Sequence, residues 1–365
     1  MNEQELLKLA ARVLRHPTAP YFEHAVRAEV ESVCREYGLR HRRDDFGNVI
    51  VELKTAVAGR PVVLAAHMDH PGFEIVKPLG QQRWLARFRG GVPDQYFRRG
   101  LRVRLMPGNI TARLTSRVNH HERWFALRAA RPATTRPEFA TWDLKDFQVR
   151  NRRLYSRACD DLIGVVTVLA TLVDLKASRA RVNVIGLLSR AEEVGFHGAL
   201  AAASESGRRA CLPKNALVIS LETSRELPGV EIGQGVILRV GDRASVFDAQ
   251  AMRFLSEVSG ELKRRRQEFR FQRGLMSGGT CEATAFQELG FQTAAVCVGL
   301  GNYHNCGERN RIRAEYVDIG DVGTMVNLLA EAARRMADFR ELVGRLPQRL
   351  RRLLREARPR LRLTA

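Results

Sequence analysis

Residues 61–69 read PVVLAAHMD, an apolar run that ends in two polar side chains, His67 and Asp69. A continuous apolar run without alternation is typical of a strand that is buried on both faces of a parallel sheet. Similar runs recur later in the chain, at residues 182–189, 216–222 and 293–300. Helical patterns alternate with these runs, at residues 161–176, 245–265 and 317–336. The alternation predicts an α/β fold, a three-layer α/β/α sandwich around a largely parallel sheet.

The pattern changes between residues 79 and 155. Short alternating runs such as RWLARF and LRVRLM replace the helical periods, and Gly and Pro separate them. This segment is predicted to be a small all-β insertion domain, residues 79–155, within a catalytic α/β/α domain formed by residues 1–78 and 156–338. The final residues, 339–365, are predicted to form an Arg/Leu-rich helical tail that Pro347 and Pro359 break into short pieces.

Composition excludes several classes of protein. The chain has 365 residues, of which 45% are hydrophobic and 27% charged, so disordered and fibrous classes are excluded. Six Cys without CxxC spacing indicate free thiols, and no secretory pattern opens the chain, so a cytoplasmic location is expected. The formal charge of +20 suggests a polyanionic binding partner. No nucleic-acid-binding motif accompanies it, and no apolar segment could span a bilayer, so neither nucleic acid nor membrane is expected as a partner.

Polar side chains follow the predicted strands at the points where they end. These residues are His67, Asp69, Asp160, Glu192, Glu193, Glu222 and His304. In open α/β sheets, ligands bind at the carboxyl ends of the strands. Carboxylates and imidazoles together are the donor set of a transition-metal site. A dinuclear hydrolytic site needs a bridging carboxylate, terminal ligands and one free carboxylate as a base, and the adjacent pair Glu192–Glu193 suits that division.

Several segments carry a resemblance to a known family. They are DDFGNVIVEL (residues 44–53), AHMDHPGF (66–73), ACDDLIG (158–164), SRAEEVGFHGA (189–199) and SGGTCEA (277–283). In order and spacing they resemble the tetrahedral (TET) and glutamyl aminopeptidase family, which belongs to the clan of co-catalytic dinuclear zinc peptidases.

The resemblance implies a role for each candidate residue. Asp160 would bridge two divalent metal ions, Zn²⁺ or Co²⁺. The first ion would also be held by His67 and Glu222, and the second by Glu193 and His304. Glu192 would be the general base, and Asp69 would orient His67.

The chain departs from the family pattern at four positions. Glu222 and Cys281 stand where the family has Asp, Leu162 stands where it has Arg, and His70 stands where Glu is common. GNYHNCGE, residues 301–308, lacks the family's Arg-Tyr-x-His and looks more like the His-x-x-x-Glu of the clan's dipeptidases and tripeptidases.

The resemblance implies a metal-dependent aminopeptidase that hydrolyses the N-terminal residues of oligopeptides and works as a homo-oligomer, from a dimer to a dodecamer. One alternative is a deacylase or amidohydrolase acting on N-acyl amino acids. The departures motivate a second alternative, a non-catalytic basic scaffold that keeps the fold. A third is a nucleic-acid binder, which the charge alone suggests.

Overall fold

The computed structural model of the chain describes residues 1–55, 59–119, 122–204 and 211–365. Eight α-helices occur in these ranges: α1 (Glu3–Leu14), α2 (His24–Glu36), α3 (Leu162–Ala177), α4 (His197–Ser204), α5 (Ala249–Arg265), α6 (Glu282–Glu288), α7 (Ile319–Arg334) and α8 (Phe339–Leu363).

The same ranges contain nineteen β-strands. They are β1 (Arg40–Arg43), β2 (Val49–Lys54), β3 (Val62–His67), β4 (Gly72–Gly80), β5 (Arg83–Arg89), β6 (Arg102–Met106), β7 (Ile110–Asn119), β8 (Trp124–Ala129), β9 (Phe139–Trp142), β10 (Gln148–Arg150), β11 (Arg153–Ser156), β12 (Asn183–Ser189), β13 (Leu217–Arg225), β14 (Val236–Gly241), β15 (Phe271–Leu275), β16 (Gln292–Leu300), β17 (Cys306–Gly307), β18 (Arg311–Ile312) and β19 (Glu315–Asp318).

An eight-stranded sheet forms the middle layer, in the order β1-β2-β12-β3-β13-β16-β14-β15. Its four central strands, β12, β3, β13 and β16, run parallel to their neighbours in this group. Towards the two edges, β2 pairs antiparallel with β12, and β14 pairs antiparallel with β16. The central strands therefore end at the same edge of the sheet, where the predicted site residues follow them.

Helices cover both faces of this sheet. Alternate residues of β3 show the two faces: Val62 and Leu64 belong to the apolar cluster that contains residues of α1, α3 and α7, whereas Val63 and Ala65 belong to the cluster that contains residues of α4 and α6. Helix α3 is apolar on every side because it lies between the sheet and neighbouring helices, and every residue from Leu162 to Val173 is buried. The predicted three-layer α/β/α sandwich is confirmed.

The inserted β-rich segment is a closed six-stranded barrel with the order β4-β5-β8-β7-β6-β9. Aromatic rings fill it. Phe73 meets Trp142 edge to face at 5.1 Å between ring centroids, and Phe97 stacks on Phe125 at 4.7 Å. Such a closed barrel removes the free strand edges that an open half-barrel would leave.

The bounds of the barrel differ from the predicted insertion at residues 79–155. The first barrel strand begins at Gly72, close behind β3, and Phe73 already belongs to the barrel core. At the other end, β10 and β11 form a separate three-stranded sheet with β19 of the larger domain. On this strand pairing we propose residues 72–142 as the insertion domain.

The C-terminal tail differs from its prediction, because α8 continues through Pro347 and Pro359 as one helix of 25 residues. A proline removes the hydrogen bond that its N–H would donate to the carbonyl four residues earlier. For Pro347 that carbonyl belongs to Val343, and Arg253 Nη1 donates to it instead, at 3.3 Å. This side-chain donor from α5 compensates for the missing backbone bond.

Candidate metal centre

The parallel strands bring the first two candidate ligands to one edge of the sheet. His67 is the last residue of β3, and Glu222 is the sixth residue of the adjacent strand β13. Both residues are buried, with 1% and 6% of their surface exposed. Their proximity follows from strand pairing, because 155 positions separate them in the sequence.

Short turns after the neighbouring strands carry the other candidates. Glu192 and Glu193 begin a 3₁₀ turn after β12, and His304 lies in a 3₁₀ turn after β16. Asp160 follows β11 and immediately precedes Asp161, whose side chain caps the N-terminus of α3 by accepting from Gly164 N. The structure therefore brings every predicted ligand into one buried cluster.

His67 faces three carboxylates. Its Nε2 atom lies 3.6 Å from Asp160 Oδ1, 3.8 Å from Glu192 Oε2 and 3.9 Å from Glu222 Oε2. Single ligand atoms of His67, Glu192 and Glu222 all lie within 4.8 Å of one another, which is the spacing of donors around one metal ion.

A second group surrounds His304. Its Nε2 atom lies 3.3 Å from Asp160 Oδ2 and 3.2 Å from Glu193 Oε1. Single ligand atoms of Asp160, Glu193 and His304 also lie within 4.8 Å of one another. Asp160 therefore presents one carboxylate oxygen to each imidazole, which is the arrangement a bridging ligand needs.

The donor atoms of the cluster suit metal ions. Asp160 Oδ1 and Glu222 Oε1 are buried and accept no hydrogen bond from the groups that the structure describes. A buried carboxylate oxygen without a donor is costly, unless a cation neutralises it. Imidazole and carboxylate donors in this number suit Zn²⁺ and similar divalent ions.

The close spacing of these buried groups also shifts their pKa values. Burial alone lowers the pKa of His67, but the charges of Glu192 and Asp160 outweigh burial and raise it well above its usual value. The pKa of His304 is raised in the same way, chiefly by Glu193 against the effect of burial. Burial raises the pKa of Glu222 to about 8. Bound metal would replace the protons that these groups hold at neutral pH.

Asp69 is fully buried and contacts residues of both ligand groups, the one around His67 and the one around His304. Its Oδ1 accepts the backbone N–H of Glu192 at 2.9 Å, and its Oδ2 accepts that of Glu193 at 3.1 Å. The ring Nδ1 of His67 lies 3.2 Å from the Asp69 carbonyl oxygen and 3.5 Å from Oδ1. Asp69 thus holds the turn that carries the two glutamates, in addition to facing His67.

Two supporting residues gave no signal in the sequence. Glu315 Oε2 accepts the backbone N–H groups of Cys159, at 2.7 Å, and of Asp160, at 3.0 Å. The second is Asn305, whose Oδ1 lies 2.9 Å from Nε2 of His70. The other ring nitrogen of His70, Nδ1, lies 2.6 Å from the carbonyl oxygen of Asp160. Both contacts fix the backbone of Asp160 through segments distant in sequence, and only the pairing of β11 with β19 places Glu315 there.

The departures from the family pattern are accommodated locally. Leu162 is the first residue of α3 and is buried in the core, and Cys281 is buried and lines the cleft described below. Glu308, the glutamate of the His-x-x-x-Glu pattern, is exposed and belongs to neither ligand group.

The cluster opens into a cleft of about 440 Å³. His67, Asp160, Glu192, Glu193, Glu222 and His304 all line it. Three arginines also line this cleft, Arg225, Arg239 and Arg243, together with Leu227, Met276 and Thr280. Arg239 is buried and donates to Ser224 Oγ at 3.1 Å, whereas Arg225 and Arg243 are exposed.

The α/β/α sandwich, the barrel inserted next to the first histidine and the buried cluster of carboxylates and imidazoles define a metal-dependent hydrolase. A family model of the M42 glutamyl aminopeptidases matches residues 136–325, which is more than half of the chain, and the chain belongs to that family. It is a peptide hydrolase, a metal-dependent aminopeptidase, as the sequence predicts.

Solved structures share the fold over nearly the whole chain. The TET1 peptidase of Pyrococcus horikoshii, which can assemble into a tetrahedron or a large octahedral shell, is 21% identical, with 91% of this chain and 99% of that chain covered and a TM-score of 0.73. An aminopeptidase from the archaeon Desulfurococcus kamchatkensis is 19% identical, with 93% and 98% covered and a TM-score of 0.75. A TET aminopeptidase from a marine sediment Thaumarchaeota archaeon is 18% identical, with 93% and 100% covered and a TM-score of 0.76.

Proposed function

We propose that the chain is a dinuclear metallo-aminopeptidase that removes the N-terminal residues of oligopeptides. The observation that carries this proposal is Asp160, which lies between two buried histidines with one carboxylate oxygen directed at each. In this assignment His67 and Glu222 complete one metal position, and Glu193 and His304 complete the other. When bound, two divalent ions, Zn²⁺ or Co²⁺, would polarise the scissile carbonyl and lower the pKa of the attacking water.

Glu192 lies in the same group as His67 and Glu222, but Asp160 also faces His67 and can supply the third donor, so we assign Glu192 as the general base. It is buried but lines the cleft, and its carboxylate lies beside the position shared by His67 and Glu222. A carboxylate at that point can take a proton from the attacking water and pass it to the leaving amine. Asp69 is assigned as a positioning residue, because its contacts reach the water and the substrate only through the turn that holds Glu192 and through His67.

The arginines of the cleft bear on which N-terminal residue of the substrate the cleft prefers. Arg225 and Arg243 are exposed there, and Arg239 lies deeper, so the side chain of an N-terminal Asp or Glu would meet positive charge. We therefore expect acidic N-terminal residues to be hydrolysed in preference to basic ones.

Assembly and location belong to the proposal as well. The relative from Pyrococcus horikoshii forms closed shells, and we propose that this chain also forms a homo-oligomer, in the cytoplasm. The deacylase alternative, the non-catalytic scaffold and the nucleic-acid binder are not favoured by the family to which the chain belongs.

The test is metal analysis combined with a substrate panel. The purified protein should hold two divalent ions per chain and hydrolyse aminoacyl anilides, acidic ones fastest, but not N-acyl amino acids. Glu192→Gln should keep both ions and lower kcat by about 10²–10⁴-fold, the usual contribution of a general base.

Glu308→Gln is the matched control, since Glu308 is an exposed glutamate outside both ligand groups, and its kcat should be unchanged. Wild-type turnover by Glu192→Gln would refute the assigned base. A chain that takes up no metal from excess Zn²⁺ would refute the dinuclear site itself.

A further inference from the structure

Helix α8 consists of a docked part and an outer part. Phe339, Leu342 and Val343 are buried, and the Phe339 ring packs on Phe254 of α5 at 5.1 Å. Arg345 Nη1 fastens the same part by donating to Glu261 of α5 at 2.6 Å. The outer segment, residues 346–363, leaves the body of the domain, and from residue 348 onward every residue is exposed.

The outer segment carries an unpartnered apolar stripe. Its leucines are between 38% and 86% exposed: Leu346, Leu350, Leu353, Leu354, Leu361 and Leu363. At 100° per residue, all of these except Leu363 lie on the helix face that also carries the docked Leu342. The stripe thus continues the docking face beyond the domain.

Arginines occupy the rest of the outer segment. It contains seven Arg and one Glu, and Arg349 and Arg358 border the stripe on opposite sides of the helix. A covering surface must therefore satisfy two requirements, an apolar layer for the leucines and negative charge beside that layer for the arginines.

Charge selects among the possible occupants. A second copy of the helix would bring arginines against arginines, on a chain whose formal charge is already +20. A polyanion such as a nucleic acid would neutralise the arginines but leave the leucines in water. A bilayer with anionic headgroups meets both requirements, because apolar side chains enter the acyl boundary while arginines reach the headgroups.

We infer that residues 346–363 of α8 bind the surface of an anionic lipid bilayer and attach the aminopeptidase to it. None of the helices in the described ranges is long and apolar enough to cross a bilayer. The sequence-based expectation of no membrane partner rested on the lack of a spanning segment, and attachment in the interface plane needs none. Because no catalytic residue is involved, the inference stands apart from the proposed reaction.

The test is vesicle flotation with the full-length protein at low salt. Vesicles that contain 30% phosphatidylglycerol in phosphatidylcholine should bind at least about 100-fold more tightly than pure phosphatidylcholine, since each arginine near an anionic surface contributes to the attraction. Added NaCl at 0.5 M should release most of the protein.

Paired substitutions separate the two contributions. Leu350→Ser with Leu354→Ser, and separately Arg351→Gln with Arg355→Gln, should each weaken binding about tenfold or more. All four side chains are exposed, so the fold should be kept. Arg98→Gln with Arg99→Gln removes the same charge from an exposed site on the barrel domain and should leave binding unchanged.

Three results would overturn the inference. The first is no binding to the anionic vesicles at low salt. The second is binding that the leucine pair does not weaken, which would indicate adsorption by charge alone. The third is an oligomer that the leucine pair dissociates in sedimentation velocity while vesicle binding is absent, which would make a second copy the occupant.

Discussion

Asp69 offers the sharpest test of how the metal centre is held. In the variant Asp69→Asn, one carboxylate oxygen becomes an NH₂ group in a site with no exposed surface. The wild-type carboxylate uses a different oxygen for each of the N–H groups of Glu192 and Glu193. Asparagine can accept only one of these bonds, and its NH₂ group then faces the other N–H.

The expected loss in the free energy of unfolding follows from those two hydrogen bonds. Losing one charge-assisted hydrogen bond and leaving a buried N–H unpaired costs about 2–4 kcal/mol in the free energy of unfolding. Asp69 also contacts both the turn that carries Glu192 and Glu193 and the imidazole of His67, and the substitution weakens both contacts. Loss of such a supporting partner lowers metal affinity by about 10–100-fold.

The assay uses urea unfolding of the metal-free protein together with Zn²⁺ affinity measured by competition with a chelator. Asp321→Asn is the matched control. Asp321 is also a buried carboxylate that accepts one backbone N–H on each oxygen, from Gly235 at 2.6 Å and Gly233 at 2.7 Å, and it does not line the cleft. Both variants should lose similar stability, but only Asp69→Asn should lose metal affinity. Equal metal affinities in the two variants would refute this role of Asp69.

Two further predictions concern the backbone clamp and the buried acids. Glu315→Ala should lower stability by about 3 kcal/mol or more and weaken Zn²⁺ binding, whereas Glu315→Gln should keep most of both, because both N–H groups go to the single oxygen Oε2. Urea unfolding with isothermal titration of Zn²⁺ compares them, and a Gln variant as weak as Ala would contradict the geometry. Burial raises the pKa of Glu282 and Glu315 to about 7 and that of Glu222 to about 8, above the ordinary value of 4.5. Between pH 4.5 and 8 the folded metal-free protein therefore binds more protons than the unfolded chain. The stability that these groups contribute is fully present below pH 4.5 and is lost as the pH rises towards 8. The free energy of unfolding should fall by about 1.4 kcal/mol per pH unit for each proton that the folded state holds in excess of the unfolded state. Urea titrations in EDTA between pH 5 and 8 measure this slope, and stability that rises with pH over that range would contradict it.

The layered fold and the inventory of the site could be predicted from the sequence because both leave local marks. The apolar run of residues 61–66 predicts a buried strand by itself, and the all-round apolar character of α3 predicts a buried helix. His67 and the pair Glu192–Glu193 stand out because polar side chains at the ends of buried strands need a reason to be there. Each of these signals is contained within one short segment of the chain.

Other features depend on which distant segments pair, and only the tertiary structure decides them. The two oxygens of Asp160 face different histidines because the last residue of β3 and the turn after β16 lie at the same edge of the sheet. Glu315 reaches the backbone of Asp160 only through the register of β11 with β19. Closure of the barrel likewise depends on the pairing of Phe73 and Glu74 of β4 with β9.

By itself, then, the sequence determined the layers of this protein and the chemistry of its site, since periodicity and residue type are properties of short segments. The tertiary structure decided which atoms face each other, because distances between segments are set by strand register and helix packing. The same division applies to α8: the leucine stripe and the arginines are visible in the sequence. Only the structure shows that the helix passes Pro347, where Arg253 of α5 donates to the Val343 carbonyl, and that the outer stripe is exposed.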